Sequence, residues 1–163
     1  MPLRLRRSAR ALVLDDLDRL LLCRHALRAT GTAVWAAPGG RIAPHEEPLT
    51  ALRRELREEV GPVVEHDPPH VWHQEVVGAG YAVGHDGVVN DYFLVRTAGF
   101  APSGALTAAE LAAECIVGVQ WWSPAEISAY RGPDLFSLPP AISAPAAGPA
   151  HDGVPDEPLL LGP

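Results

Sequence analysis

The chain has 163 residues, 47 % of them hydrophobic, enough apolar material for one domain with a substantial core. Its net charge of −7 combines 13 arginines with no lysine, so a general polyanion-binding surface and a long nucleic acid partner are not expected, although single arginines can still hold phosphates. The basic start LRLRRSAR leads into only ALVL before Asp15, too short for the apolar part of a signal peptide, and no run approaches a membrane span; a cytoplasmic protein without membrane contact is expected.

In chain order, ARALVL and RLLLCR flank the acidic DDLD and read as a β-hairpin, followed by a loop and the short strand AVWAAP. Pro48 fits a first helical turn, Leu49, Leu52, Leu56 and Val60 form an apolar stripe, and Gly61 suits the position just past a helix end. VWHQEVV and VVNDYFLVRT then read as strands divided by the glycine-rich GAGYAVGHDG, a second hairpin. Thr107 with Glu110 and Ser123 with Glu126 each match a capping box, the latter with Pro124 at the first helical position, and IVGVQWW between them reads as a strand. Strands with intervening helices give an α/β class. Beyond Arg131 prolines, alanines and glycines accumulate, so the expectation is a domain over residues 1–131 and an extended or disordered tail over 132–163. Phe136, Leu138 and Leu159 to Leu161 are the tail's candidates for docking on the domain or on a second subunit, the latter giving a homodimer.

Some residues have plain structural readings. Cys23 and Cys115 lack metal-ligand or disulfide-framework spacing and read as small buried thiols. Trp35, Trp121 and Trp122 sit in strand-like segments and are expected in the core, while Tyr81, in the glycine-rich loop, is freer to touch a substrate. The seven histidines are scattered without metal-ligand spacing and read as surface residues.

Most of the chemistry lies in GRIAPHEEPLTALRRELREEVGP, Gly40 to Pro62. Glu55, Glu58 and Glu59 fall at i, i+3 and i+4, on one face near the helix end. An exposed carboxylate at a helix C-terminus is disfavoured by roughly 0.3–1 kcal/mol, and Glu55 repels Glu59 by about 0.2–0.5 kcal/mol more. The only close i,i+4 pair of opposite sign, Arg54 with Glu58, has the weaker orientation. An ordinary ion-paired helix surface would not be composed this way; an oxygen-rich site for Mg²⁺ or Mn²⁺ would.

The whole spacing resembles the Nudix box: Gly40, five residues, Glu46, seven residues, Arg54, Glu55, Leu56, one residue, Glu58, Glu59, one residue, Gly61. The last position of that box is usually aliphatic and here is Pro62, and Ala43 and His45 stand where many members carry Glu and Gly. Covering about residues 8–131, the resemblance implies an α/β/α sandwich with a mixed β-sheet and a divalent-metal-dependent pyrophosphohydrolase acting on nucleoside diphosphates linked to another group. Carried over residue by residue, it implies Glu58 and Glu59 as the principal metal ligands, with Glu55 beside them and the Gly39 carbonyl completing the site. Arg54 would orient box carboxylates, Glu46 included. The family commonly adds a carboxylate, as base or ligand, shortly before the strand that here reads VGVQWW. Glu110 and Glu114 are the candidates, and Glu114 is preferred because Glu110 already completes a capping box. The small-molecule substrate is left among nucleoside triphosphates, nucleotide sugars such as ADP-ribose, and dinucleoside polyphosphates. A non-catalytic nucleotide sensor and an isomerase on the same fold are the competing classes.

Overall fold

Strands β1 (Leu5–Leu14) and β2 (Leu20–Leu27) leave the DDLD turn as a hairpin but share only the Leu14–Leu20 pairing before they diverge. Two short strands occupy the edges so exposed: β3 (Thr32–Ala36) runs antiparallel to β2, and β4 (Gly39–Arg41) antiparallel to β1. The Ala37-Pro38 link between β3 and β4 therefore crosses the mouth of a split sheet, with Gly39 and Gly40 on its β1 side. The computed structural model describes residues 1–28, 30–61, 64–138 and 159–161.

The other edge of β1 pairs in parallel with β6 (Gly87–Arg96), and β5 (His70–Val77) joins β6 as the second antiparallel hairpin. On the far side β7 (Ile116–Trp122) runs antiparallel to β2. With β8 (Leu135–Ser137) parallel to β3 and β9 (Leu159–Leu161) parallel to β5, the sheet is mixed.

Period-two alternation along β1 sends Ala9, Ala11 and Val13 to one face and Leu12 and Leu14 to the other. The first face packs against α1 (Pro48–Glu59), whose Ala51, Leu52 and Leu56 are buried together with Leu21, Cys23 and Phe93. Burying each of the two leucines contributes about 1.5–3 kcal/mol. The opposite face gathers Leu20, Leu22, Trp35, Tyr92 and Trp122 under Ile127 of α3 (Pro124–Ala129) and Tyr130. With α2 (Ala108–Ala113) beside β7, the result is the expected α/β/α arrangement. Both capping boxes form, and α1 ends where the Gly61 amide donates to the Leu56 carbonyl at 2.8 Å with φ +113°. Trp35 and Trp122 are buried edge to face, and burial pushes the Cys23 thiol up; Cys115 is half-buried.

The structure departs from the tail expectation just beyond Arg131. Residues 135–137 are a strand of the sheet, Phe136 lies edge-on to Trp122 and Tyr130, and Leu138 packs in the same cluster. Asp134 receives Arg24 Nε and Nη2 at 2.7 and 2.9 Å and Trp35 Nε1 at 3.0 Å. The Phe136 ring and Leu138, two of the tail's docking candidates, pack on the domain, and the multiply bonded Asp134 carboxylate, which composition does not mark, anchors the segment beside them. Of the remaining tail, β9 pairs with β5 through its backbone, and residues 139–158, like Pro62, lie outside the described residues.

Candidate active site

Two carboxylates of α1 converge on the turn that bridges the split sheet. Glu59 Oε2 accepts the Gly39 amide at 3.0 Å, and the Glu55 carboxyl lies so close to Gly40 that an added Cβ would stand 2.7 Å from it. Gly39 is constrained for a different reason: its φ is +137°, and a Cβ there would meet the Ala9 carbonyl at 2.2 Å. Here the two glycines let the chain pass between strand β1 and the acidic face of α1.

Arg54 is the hub of the box. Its Nε and Nη2 each bond one oxygen of Glu46 at 3.0 Å, Nη1 reaches Glu55 at 2.7 Å, and Nη2 also donates to the Arg41 carbonyl at 3.1 Å. Glu58 lies farther from it, 3.8 Å from Nη1. The fork thus fixes two carboxylates and ties the loop after β4 to the helix. Glu46 also accepts the Ala43 amide at 2.9 Å, and both contacts hold its pKa below the ordinary value, Arg54 more strongly. His45, where a glycine is common in the resembling family, adopts φ +65°, a left-handed conformation uncommon outside glycine, so the loop keeps its path without that residue.

The electrostatics are those of a site with surplus negative charge. Burial raises the pKa of Glu59 to about 8, with Glu55 and Glu114 adding to it against the Gly39 hydrogen bond and the more distant Arg10. Glu55 is also raised, first by burial and then by Glu58 and Glu114, while Arg54 opposes. Glu114 caps the C-terminal end of α2, exposed, and near enough for its charge to act on both box glutamates. Glu110 instead takes the Thr107 amide and hydroxyl at 2.8 and 2.9 Å. The structure thus brings Glu55, Glu58, Glu59 and Arg54 together, sets Glu114 beside them and leaves Glu110 at its cap.

Three arginines near this site were not singled out in the sequence. The registers put Arg6 and Arg10 of β1 and Arg41 of β4 on one sheet face, since Arg41 stands opposite Ser8, midway between the other two. Burial, then Arg10 and Arg41, lower the Arg6 pKa, and Glu55 opposes them. Arg10 also donates to the Ala37 carbonyl at 3.0 Å, holding the approach to the glycine turn. The period-two spacing of Arg6 and Arg10 was visible in LRLRRSAR; the arrival of Arg41 was not. A cleft of about 400 Å³ lies here, its lining including Arg6, Arg41 and Glu46. A larger one, about 520 Å³, between residues 64–69 and 94–97, includes none of the box carboxylates. Tyr81 is exposed in the β5–β6 loop.

Among the described histidines the surface expectation is corrected for His25, half-buried with its pKa lowered by burial to about 4, and for His70 and His73, which meet at Asp91, on β5 and β6.

Comparison with known proteins supplies the remaining evidence. The sequence matches the NUDIX domain family over residues 4–139, wider than the 8–131 span read from the motif. A MutT NUDIX hydrolase from Burkholderia pseudomallei superposes with TM-score 0.58 at 20% identity, over 79% of this chain and 88% of that one. MutT from Methanosarcina mazei Go1 gives 0.59 at 18% identity, over 80% and 86%. The NUDIX domain of Shewanella oneidensis NrtR, in complex with ADP ribose, gives 0.56 at 17% identity, over 78% and 77%. At these identities the structures show a common fold. A search of curated proteins found no match.

Proposed function

Because this chain belongs to the NUDIX family, a family of pyrophosphohydrolases that generally use divalent metals, we propose that it cleaves the diphosphate linkage of a nucleoside diphosphate joined to another group, with Mg²⁺ as its metal and Mn²⁺ as a substitute. The observation that carries this reading is the convergence of Glu55 and Glu59 on the Gly39–Gly40 turn, with Glu114 alongside and a buried Glu59 whose hydrogen bond comes from a neutral amide. Carboxylates whose charge is disfavoured by burial and by one another fit a hard dication, which offsets both penalties.

On this reading Glu58 and Glu59 are the principal ligands, with Glu55 and the Gly39 carbonyl completing the set. A cation held there would supply Lewis-acid chemistry, offsetting phosphate charge and lowering the pKa of an attacking water. Arg54 keeps Glu46 and Glu55 in place. Arg6, Arg10 and Arg41 supply the positive wall that a polyphosphate needs beside an acidic site. Glu114 accepts the proton of the water whose oxygen forms the new bond to phosphorus as the bridging P–O bond breaks. The substrate is a small nucleotide rather than a long nucleic acid, and the setting is cytoplasmic; among the described residues no helix is long and apolar enough to cross a membrane.

The ADP-ribose complex suggests which compounds to test first: ADP-ribose and other nucleotide sugars, then nucleoside triphosphates and dinucleoside polyphosphates. The assay incubates each with Mg²⁺ and identifies products by mass. Release of a nucleoside monophosphate or of pyrophosphate, lost in Glu58→Gln, is the expected result. Binding without turnover across the panel would favour the sensor, and a rearranged product of unchanged mass the isomerase.

A further inference from the structure

His70 and His73 are three residues apart on β5, and in a regular strand such residues point to opposite faces. A bulge changes this. The pairing of β5 with β6 slips between His70 and Trp72, and Val71 and Trp72 both join the core cluster that contains Tyr92. Two consecutive residues thus share one face, and His70 and His73 are brought together on the other. That face carries Asp91, which stands opposite His73 and beside Ala9 of β1. Bulges re-aim side chains in this way near functional sites.

The three side chains meet at one atom. Asp91 Oδ1 lies 3.0 Å from His70 Nε2 and 2.7 Å from His73 Nδ1, and the three candidate donor atoms all fall within 4.8 Å of one another. Asp91 is buried, while each imidazole is about one-third exposed, so an ion from solvent can reach the donors. Arg7 Nη2 approaches the other oxygen, Oδ2, at 3.8 Å and leaves Oδ1 to the histidines. The His70 ring stacks on Phe93, with centroids 4.8 Å apart, and its Nε2 also lies 3.1 Å from the Trp72 carbonyl.

We propose that His70, His73 and Asp91 form a second metal site, separate from the box, that takes a borderline transition cation, Zn²⁺ in preference to Mg²⁺. Two neutral imidazoles and one carboxylate form a set suited to Zn²⁺ and poorly suited to Mg²⁺, which takes oxygen ligands. Tetrahedral Zn²⁺ with bonds of about 2.0–2.2 Å sets its donors roughly 3.3 Å apart. Moving the Asp91 oxygen back by roughly half an ångström and setting the two ring nitrogens, already within 4.8 Å of each other, to the same spacing, through side-chain rotation, meets that requirement and leaves the fourth position to water. The site would tie β5 to β6 at the bulge. It is independent of the hydrolytic reading: β1 lies between β6 and β4, and none of the three residues belongs to the box.

The test uses the full chain, freed of metal and then held in excess Mg²⁺ so that Zn²⁺ added in a calorimetric titration competes poorly for the box. The expected result is one Zn²⁺ per chain, weakened at least tenfold in His70→Gln and in His73→Gln and unchanged in Glu58→Gln. In the wild type, one equivalent of Zn²⁺ should also move the ring-proton resonances of two histidines, a readout that holds if a variant does not fold. No saturable Zn²⁺ site, wild-type affinity in both histidine variants, or unmoved histidine resonances would overturn the proposal and leave the trio a hydrogen-bonded link between strands.

Discussion

Replacing Glu59 by Gln in the metal-free protein should change how stability depends on pH. In the unfolded chain this carboxyl ionises near its ordinary 4.5, whereas in the fold it holds its proton to about 8. Between those values the unfolded state is the one that loses the proton, so stability falls as pH rises, by about 1.4 kcal/mol per pH decade. Across the whole window the loss approaches about 5 kcal/mol, an upper bound. Below pH 4.5 and above pH 8 this contribution is flat. A glutamine stays neutral and its amide oxygen can still accept the Gly39 amide hydrogen bond. The variant should therefore match the wild type near pH 4.5 and exceed it by several kcal/mol above pH 8. Urea unfolding in EDTA at half-unit intervals from pH 4.5 to 9 measures the difference. Saturating Mg²⁺ should stabilise the wild type more than the variant, with proton release on binding near pH 7. Wild type and variant that stay parallel across this range would refute the argument that Glu59 carries unfavourable buried charge.

Glu114→Gln should lower kcat by about 10²–10⁴ with little change in KM, while Glu110→Gln should mainly lower the melting temperature through the weakened α2 cap; reversed kinetics would move the base to Glu110. Gly39→Ala should destabilise strongly, because its Cβ meets backbone, whereas Gly40→Ala should fold and lose turnover, because there the neighbour that gives way is the Glu55 carboxyl; equal melting temperatures for the two variants would contradict this. Ending the chain after Leu138 should preserve a cooperative melt and metal-dependent turnover, but ending it after Arg131 should not, since Asp134 and Phe136 are then lost. Phe136→Ala in the full chain should cost about 2 kcal/mol by chemical denaturation, and no measurable loss would return the segment to a passive tail.

What the sequence by itself determined is what depends on neighbours a few residues apart. The apolar stripe and glycine stop of α1, both capping boxes and the alternation in the longer strands are local, and all appear where the residues point to them. The family, too, was legible, because a fixed spacing along one helix and its preceding loop carries it. The tertiary structure decided what depends on distant segments meeting. The split between β1 and β2 has no signal in ARALVL or RLLLCR, since each pairs as well with β4 or β3 as with its hairpin partner. Glu114 reaches the box because α2 ends beside it, Arg41 joins Arg6 and Arg10 through strand register, and Phe136 finds Trp122 across the sheet. His70 and His73 share a face only because one strand slips against its neighbour. Strand pairing is chosen by burial over the whole sheet, a one-residue slip reverses every side chain, and three- and four-residue spacings record neither.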